Sequence, residues 1–254
     1  MKFFDSHSHY NDEKFDVDRE KLLEELYEKY IEGTICAGYG LESSIKAIEL
    51  STKYDWMYAT CGISPNDINE LVEKEVLEIE KIATNHRIVA IGEIGLDYYW
   101  NKENKEEQKE LFIKQIQIAN KLNLPIVIHT RDAVMDTLEI LKKNECIKKG
   151  VFHCCPLNIE LIKEALKLGY YISFSGNITF KNAKSEEVVK YVPLDKILIE
   201  TDCPYLSPEP NRGKRNTSAN LKYIAEKIAK IKQITVEEIA EITYENSKQL
   251  FNIM

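Results

Sequence analysis

The sequence predicts a closed (β/α)8 barrel, an α/β fold of the TIM-barrel type, and three observations carry that expectation. Eight short apolar runs recur along the chain, each separated from the next by a longer amphipathic stretch, as repeated βα units require. The runs are apolar throughout rather than alternating, the pattern of parallel strands buried on both faces. The chain has 254 residues, enough to close eight such units around a sizeable core, so residues 1–254 read as a single domain.

In order, the runs are Lys2–Phe4, Gly33–Ala37, Trp56–Cys61, Ile88–Gly92, Pro125–Ile128, Val151–Phe152, Tyr170–Phe174 and Ile197–Ile199. The segments between them have helical patterning. In one, Leu221, Ile224, Ala225 and Ile228 fall at i, i+3, i+4 and i+7 and share a face. The last helix is expected to begin at Thr235, with Glu238 completing a capping box, and to turn Ile239, Ile242 and Leu250 toward the core. An open, doubly wound sheet is the rival. Neither GxGxxG nor GxxxxGK[ST] follows the first run, so a nucleotide-binding version of that fold would lack its phosphate loop. The longest irregular stretch, Cys203–Thr217, is rich in Pro and Gly, and loops of that length in a compact domain tend to be functional or disordered.

Composition narrows the function classes. Hydrophobic residues make up 44% and charged residues 30%, ordinary for a soluble globular chain. The formal net charge is −8 and the pI about 5.4. A protein that held nucleic acid by global charge would be basic, so any contact with DNA or RNA has to come from a local patch or from bound cations. No apolar run reaches the ~18 residues of a membrane span, and Met1-Lys2-Phe3-Phe4-Asp5 turns polar too soon for a signal peptide. The six cysteines, Cys36, Cys61, Cys146, Cys154, Cys155 and Cys203, include no CxxC pair and are expected to be free thiols of a reducing cytoplasm. A monomer is the expected state.

The chemistry lies at the ends of the apolar runs. Of five histidines, four stand there. His7 and His9 follow the first run, and residues two apart on a strand point the same way, so both imidazoles could grip one cation. Glu93 ends the fourth run, His129 the fifth and His153 the sixth, and Asp202 closes the stretch after Ile199. In a barrel these strand ends converge on one rim, where active sites sit. His86 precedes the fourth strand and belongs at the opposite rim as a surface residue. Any one of these groups alone could be a hydrogen-bonded structural residue. Together they would cost several kcal/mol each to bury without cations. Three such ligands hold one catalytic zinc, and the surplus suggests two ions with one carboxylate between them. Two such ions can share a hydroxide nucleophile for in-line displacement at phosphorus, with Asp202 as general base.

With these residues in place, the chain resembles the TatD family of metal-dependent deoxyribonucleases, a branch of the amidohydrolase superfamily. The matching stretches are Asp5-Ser6-His7-Ser8-His9, Gly92-Glu93-Ile94-Gly95-Leu96-Asp97-Tyr98 and Pro125-Ile126-Val127-Ile128-His129-Thr130-Arg131. They continue with Val151-Phe152-His153-Cys154, Gly169 through Gly176, Glu200-Thr201-Asp202-Cys203-Pro204-Tyr205-Leu206 and Arg212-Gly213-Lys214-Arg215-Asn216. They run in family order over essentially the whole chain. The resemblance implies a (β/α)8 barrel and phosphodiester hydrolysis of DNA, often as a 3′ to 5′ exonuclease on single strands. It implies metal contacts by His7, His9, Glu93, His129, His153 and Asp202, with Glu93 bridging two divalent ions. Mg2+, Mn2+, Zn2+, Fe2+ or Ni2+ would all suit such a set. Two departures stand out. Gly62-Ile63-Ser64-Pro65 has serine where the family usually has histidine, which bears on substrate contact rather than on the metal site. Cys155-Pro156-Leu157 replaces the family's Phe-Ser-Gly, so the loop beyond the sixth strand should be reshaped.

Substrate-holding residues are expected beside the rim. Arg212, Lys214 and Arg215 lie beyond the eighth strand and could steer a phosphate; an arginine there could equally pair with a carboxylate and fix the loop. Arg131 is a second phosphate candidate. Tyr98, Tyr99 and Trp100 could stack on a base or pack against neighbouring loops. DNA or RNA is thus the leading substrate. The same constellation could serve a carboxylic ester, such as an aminoacyl-tRNA, an amide or a lactone. A non-enzymatic barrel that keeps its cations for stability is a third reading.

Overall fold

The computed structural model describes residues 1–253. Eight strands pair in chain order, each parallel to the next: β1 (Phe3–Ser8), β2 (Ile31–Ala37), β3 (Met57–Cys61), β4 (Ile88–Asp97), β5 (Ile126–Arg131), β6 (Gly150–Phe152), β7 (Tyr171–Phe174) and β8 (Ile197–Ile199). The helices between them are α1 (Arg19–Lys29), α2 (Leu41–Lys53), α3 (Val72–Ile82), α4 (Lys105–Leu122), α5 (Val134–Lys143), α6 (Ile159–Lys167) and α7 (Ser185–Tyr191), with α8 (Leu221–Lys232) and α9 (Val236–Phe251) after β8. This is the expected TIM barrel, with a strand at every apolar run.

Two apolar layers hold it. Phe4, Ile35, Val127, Val151 and Leu198 belong to one buried cluster across the strands, plugged at one end by Leu250, Phe251 and Ile253. The larger layer joins the helices to the barrel wall and includes Leu221, Ile224, Ala225 and Ile228, all fully buried. Thr235 caps α9 as expected, its Oγ1 accepting from the Glu238 N–H at 3.1 Å while Glu238 Oε2 accepts from the Thr235 N–H at 2.8 Å. Ile239 and Leu250 are buried, whereas Ile242 is only half-buried. Among the described residues no helix is long and apolar enough to cross a membrane.

The barrel closes where its first and last strands meet. The Asp202 N–H donates to the His7 carbonyl at 3.0 Å and the His9 N–H to the Cys203 carbonyl at 2.8 Å. Below them Ser6 Oγ donates to the Ile199 carbonyl at 3.0 Å. Asp5, wholly buried, ties the same seam. Its Oδ1 accepts from the Thr201 N–H at 2.9 Å, and its Oδ2 faces the hydroxyls of Thr201 and Ser218, each at 2.6 Å. Burial pushes the Asp5 carboxyl up to about 7, against the pull of Ser218 and Thr201.

A carboxyl raised in this way binds its proton more tightly folded than unfolded. Its contribution to stability is fully present below the ordinary value of 3.8 and is lost as pH climbs through about 7. An asparagine fits the same donors and acceptors, because both hydroxyls can reverse. Asp5→Asn should therefore gain on the parent protein as pH rises from about 4 to about 8 in denaturant titrations. A stability difference that does not change with pH would refute this reading of the seam.

Candidate metal centre

The strands deliver their polar ends to one rim because the regular alternation breaks there. The β1–β2 ladder shifts register between Asp5 and Ser8, so His7 and His9 turn inward although Phe4 also faces the interior. The β4–β5 ladder shifts between Ile91 and Ile94, and the Glu93 N–H leaves it to bond the Gly38 carbonyl at 2.7 Å. Gly95, at φ +139°, is required beside it: a Cβ there would lie 2.0 Å from the His129 carbonyl oxygen. β4 and β5 can thus approach closely enough to set Glu93 over His129. Asp202 has φ +55° and Cys154, just after His153, φ +39°. Such left-handed non-glycine residues tend to collect at functional sites.

Glu93 faces four imidazoles at once. Its Oε2 lies 3.5 Å from His7 Nε2 and 3.8 Å from His9 Nε2, and its Oε1 lies 2.9 Å from His129 Nδ1 and 3.3 Å from His153 Nε2. Asp202 Oδ1 sits 3.1 Å from His9 Nε2 and 3.7 Å from His7 Nε2. The structure thus brings all six expected ligands together in two nests that share one carboxylate. His7, His9 and Glu93 form one, with Asp202 beside it, and Glu93, His129 and His153 the other.

The donor set fits divalent cations. In the first nest two ring nitrogens face each other at 3.1 Å, and in the second at 3.3 Å. A single hydrogen can satisfy such a pair only if one ring donates; a cation satisfies both lone pairs. The outer nitrogens favour the second arrangement. His9 Nδ1 lies 3.2 Å from the Ala37 carbonyl and His129 Nε2 2.9 Å from Asp97 Oδ2, acceptors that call for N–H on the far side of each ring. His153 Nδ1 faces Glu200 Oε1 at 3.4 Å. His7 and His153 stack at 4.1 Å with their planes 18° apart, and with Glu200 they form a third grouping whose donor atoms lie within 4.8 Å of one another.

The electrostatics without cations show what cations would relieve. Burial opposes the charge of Glu93, yet His153, His129 and His7 hold its carboxyl well below the usual range. Burial likewise disfavours a charged His153, but Glu93 and Glu200 push it well above its ordinary value. His9 and His129 also rise despite burial, through Asp202 and Glu93 for the one and Asp97 and Glu93 for the other. His7 falls, because of burial and the neighbouring His153. Raised imidazoles beside lowered carboxylates mark a place that calls for positive charge next to Glu93 and Asp202.

The nests open on a cavity of about 710 Å3, also lined by Tyr39, Ser64, Arg131 and Tyr205. Of the four expected substrate residues, the structure sets only Arg131 on this cavity. Arg215 is turned away: its guanidinium grips Asp18 through two bonds, at 2.8 and 2.6 Å, which is the loop-fixing alternative. Arg212 lies over the Phe180 ring at 3.6 Å, and Lys214 is exposed. Tyr98 is buried and donates to Asp136 at 2.7 Å, which removes it as a stacking surface, whereas Tyr99 and Trp100 are exposed. His86 is exposed as expected. Among the described residues all six cysteines are free, and none belongs to a ligand nest.

Sequence reasoning missed Asp97 and Glu200. Ending the fourth strand at Gly92 hid Asp97, which closes β4 four residues beyond Glu93. Glu200 stands two before Asp202, the same two-residue spacing that marked His7 and His9.

A family profile described as TatD related DNase matches residues 4–252. The chain belongs to the TatD family. It is 45% identical to the uncharacterized metal-dependent hydrolase YabD of Bacillus subtilis (strain 168), covering 98% of this chain and 99% of that one. It is 38% identical to the corresponding YcfH of Escherichia coli (strain K12), over 100% and 97% of the two chains. The crystal structure of YJJV, a TatD homolog from Escherichia coli K12, superposes with a TM-score of 0.92 at 25% identity, over 99% and 98% of the chains. A TatD family hydrolase from Entamoeba histolytica gives 0.89 at 26%, over 99% and 98%.

In this TatD chain, Asp97→Ala leaves the His129 ring free to turn and should weaken cation binding about 10- to 100-fold by calorimetry. Unchanged affinity would show that Asp97 does not orient His129. Cation binding should also release protons and weaken as pH falls through neutrality, because His9, His129 and His153 hold protons above the ordinary 6.5. Calorimetry in buffers of different ionisation heat reads this directly; zero proton release would contradict it.

Proposed function

We propose that this protein is a divalent-metal-dependent phosphodiesterase acting on DNA, with two ions held by His7, His9, Glu93 and Asp202 on one side and Glu93, His129 and His153 on the other. The observation that carries the reading is the division of Glu93, each oxygen turned to a separate pair of imidazoles. Membership of a family described by DNase activity, and relatives named as metal-dependent hydrolases, support it. The ions would supply Lewis acidity toward a phosphoryl oxygen and lower the pKa of a water.

The chain's own groups supply the rest. Asp202 turns Oδ1 to His9 Nε2, which leaves Oδ2 to take the proton of the attacking water. Burial works against its charge, but His9, His153 and His7 keep its carboxyl below the usual range, so it enters the reaction ionised. Arg131 forms no ion pair among the described residues; its guanidinium rests 3.8 Å over the Tyr99 ring at the cavity mouth, free to meet a phosphate oxygen.

A carboxylic ester is the second reading, favoured by the acidity of an adjoining cavity that shares Tyr39, Asp67 and Tyr205 with that of the nests and is also lined by Asp12, Glu13, Glu42 and Glu75 beside a single Lys46. Carboxylates there repel a long polyanion. A panel of single-stranded DNA, a p-nitrophenyl phosphodiester and a carboxylic ester, each with Mg2+, Mn2+ or Zn2+, separates the two. Turnover of the ester alone would reject the phosphodiesterase.

Glu93→Ala should abolish metal content and turnover together, since both nests lose a ligand. Full metal content with retained activity would end its bridging role. Asp202→Asn should lower kcat by about 10^2- to 10^4-fold with little change in substrate affinity, since an amide cannot accept the proton.

A further inference from the structure

Beside the metal cavity lies a second one, of about 460 Å3, that shares Asn66 and Trp100 with it. Pro65, Ile68, Asn101 and Asn104 complete its lining, and no charged side chain takes part. Trp100 is 68% exposed and Tyr99 51%, unusual for such large rings in a folded chain. The amides are held in place with their outer groups spare. Asn66 Nδ2 donates to Asp97 Oδ2 at 3.2 Å, leaving Oδ1 to accept. Asn104 Oδ1 accepts from Gln108 Nε2 at 2.8 Å, and Asn101 Oδ1 from the Glu103 N–H at 3.0 Å, leaving both amide nitrogens to donate. A flat aromatic face beside one acceptor and two donors, all uncharged, suits a nucleobase: the face stacks and the amides meet the base edge.

Electrostatics keeps the other parts of a nucleotide out. Past Ile68 the next cavity is lined by Glu70, Glu73, Glu107 and Glu110. Only Glu73 is paired, to Lys114; the other three form no ion pair among the described residues. A phosphate would be repelled there, whereas Arg131 and the nests, once they hold cations, would attract one in the metal cavity that Trp100 also lines. The uncharged cavity thus adjoins the metal cavity through Asn66 and Trp100 and the acidic one through Ile68.

We propose that the Trp100 cavity is a nucleobase subsite, taking the base of the nucleotide whose phosphate lies at the metal nests. This rests on the phosphodiesterase reading for the phosphate, but the base site has its own readout. The chain has two tryptophans, Trp56 and Trp100. Trp56 stacks on Tyr27 at 4.8 Å, away from both cavities, so Trp56→Phe leaves Trp100 as the only indole reporter. Deoxyadenosine monophosphate should quench its fluorescence saturably, and ribose 5-phosphate should not. Equal response to both, or none to either, would overturn the subsite whatever the enzyme hydrolyses.

Turnover supplies the second arm. Single strands ending in a normal base should be cleaved with a kcat/KM about fivefold or more above strands ending in an abasic residue. Trp100→Ala should bring that ratio toward one. Its exposure makes unfolding an unsuitable explanation, and a thermal melt checks this. An unchanged ratio overturns the proposal. If neither strand is cleaved while quenching by the nucleotide persists, the phosphodiesterase reading fails and the base site stands.

Discussion

The buried carboxylate of Glu93, divided between two pairs of imidazoles, is the constraint on which the rim depends. A lone carboxylate so deep would cost several kcal/mol in lost hydration. It is tolerated because every direction it faces holds a ring nitrogen at 2.9 to 3.8 Å. That arrangement in turn dictates the backbone around it. β4 must leave its ladder to turn Glu93 inward, and residue 95 must lack a side chain so that the next strand can come close. The histidines also need fixed rings, which the Ala37 carbonyl and Asp97 provide from behind.

Much of this was legible in the sequence because strand ends and ligands coincide. Eight apolar runs located eight strands, and six polar residues at their ends located the nests. What failed was the boundary wherever a strand continues through its own ligands. β1 extends to Ser8 and β4 to Asp97, beyond the apolar residues that announced them. Hydropathy cannot register a strand whose inward side chains are polar and gather in clusters able to hold a metal instead of packing. Asp97 was lost for that reason. Charge on the last loop was ambiguous for a different one: an arginine that meets a phosphate and one that meets a carboxylate look alike until the partner is seen, and Asp18 is 197 residues away from Arg215. Tyr98, Tyr99 and Trp100 form one aromatic run, yet burial of the first and exposure of the others depend on contacts with α5 that no local pattern encodes.

The acidic whole and the proposed phosphate-binding role of the rim are compatible because charge is distributed over short distances. Carboxylates surround the mouth, while the nests concentrate nitrogen donors inside it. With a formal net charge of −8, the overall field favours cations over anions, which suits clusters of side chains able to hold a metal. On the proposed reading, an anionic substrate would meet a rim whose charge such cations had reversed.

The seam between β1 and β8 has a consequence for biosynthesis. His7 and His9 leave the ribosome well before Asp202, whose N–H bonds the His7 carbonyl and whose Oδ1 meets His9 Nε2 from 193 positions further along the chain. Until then the early histidines have no carboxylate from the last strand beside them and no closed ring to hold them. The nascent protein is thereby kept from gathering all six rim side chains until its last strand has been made.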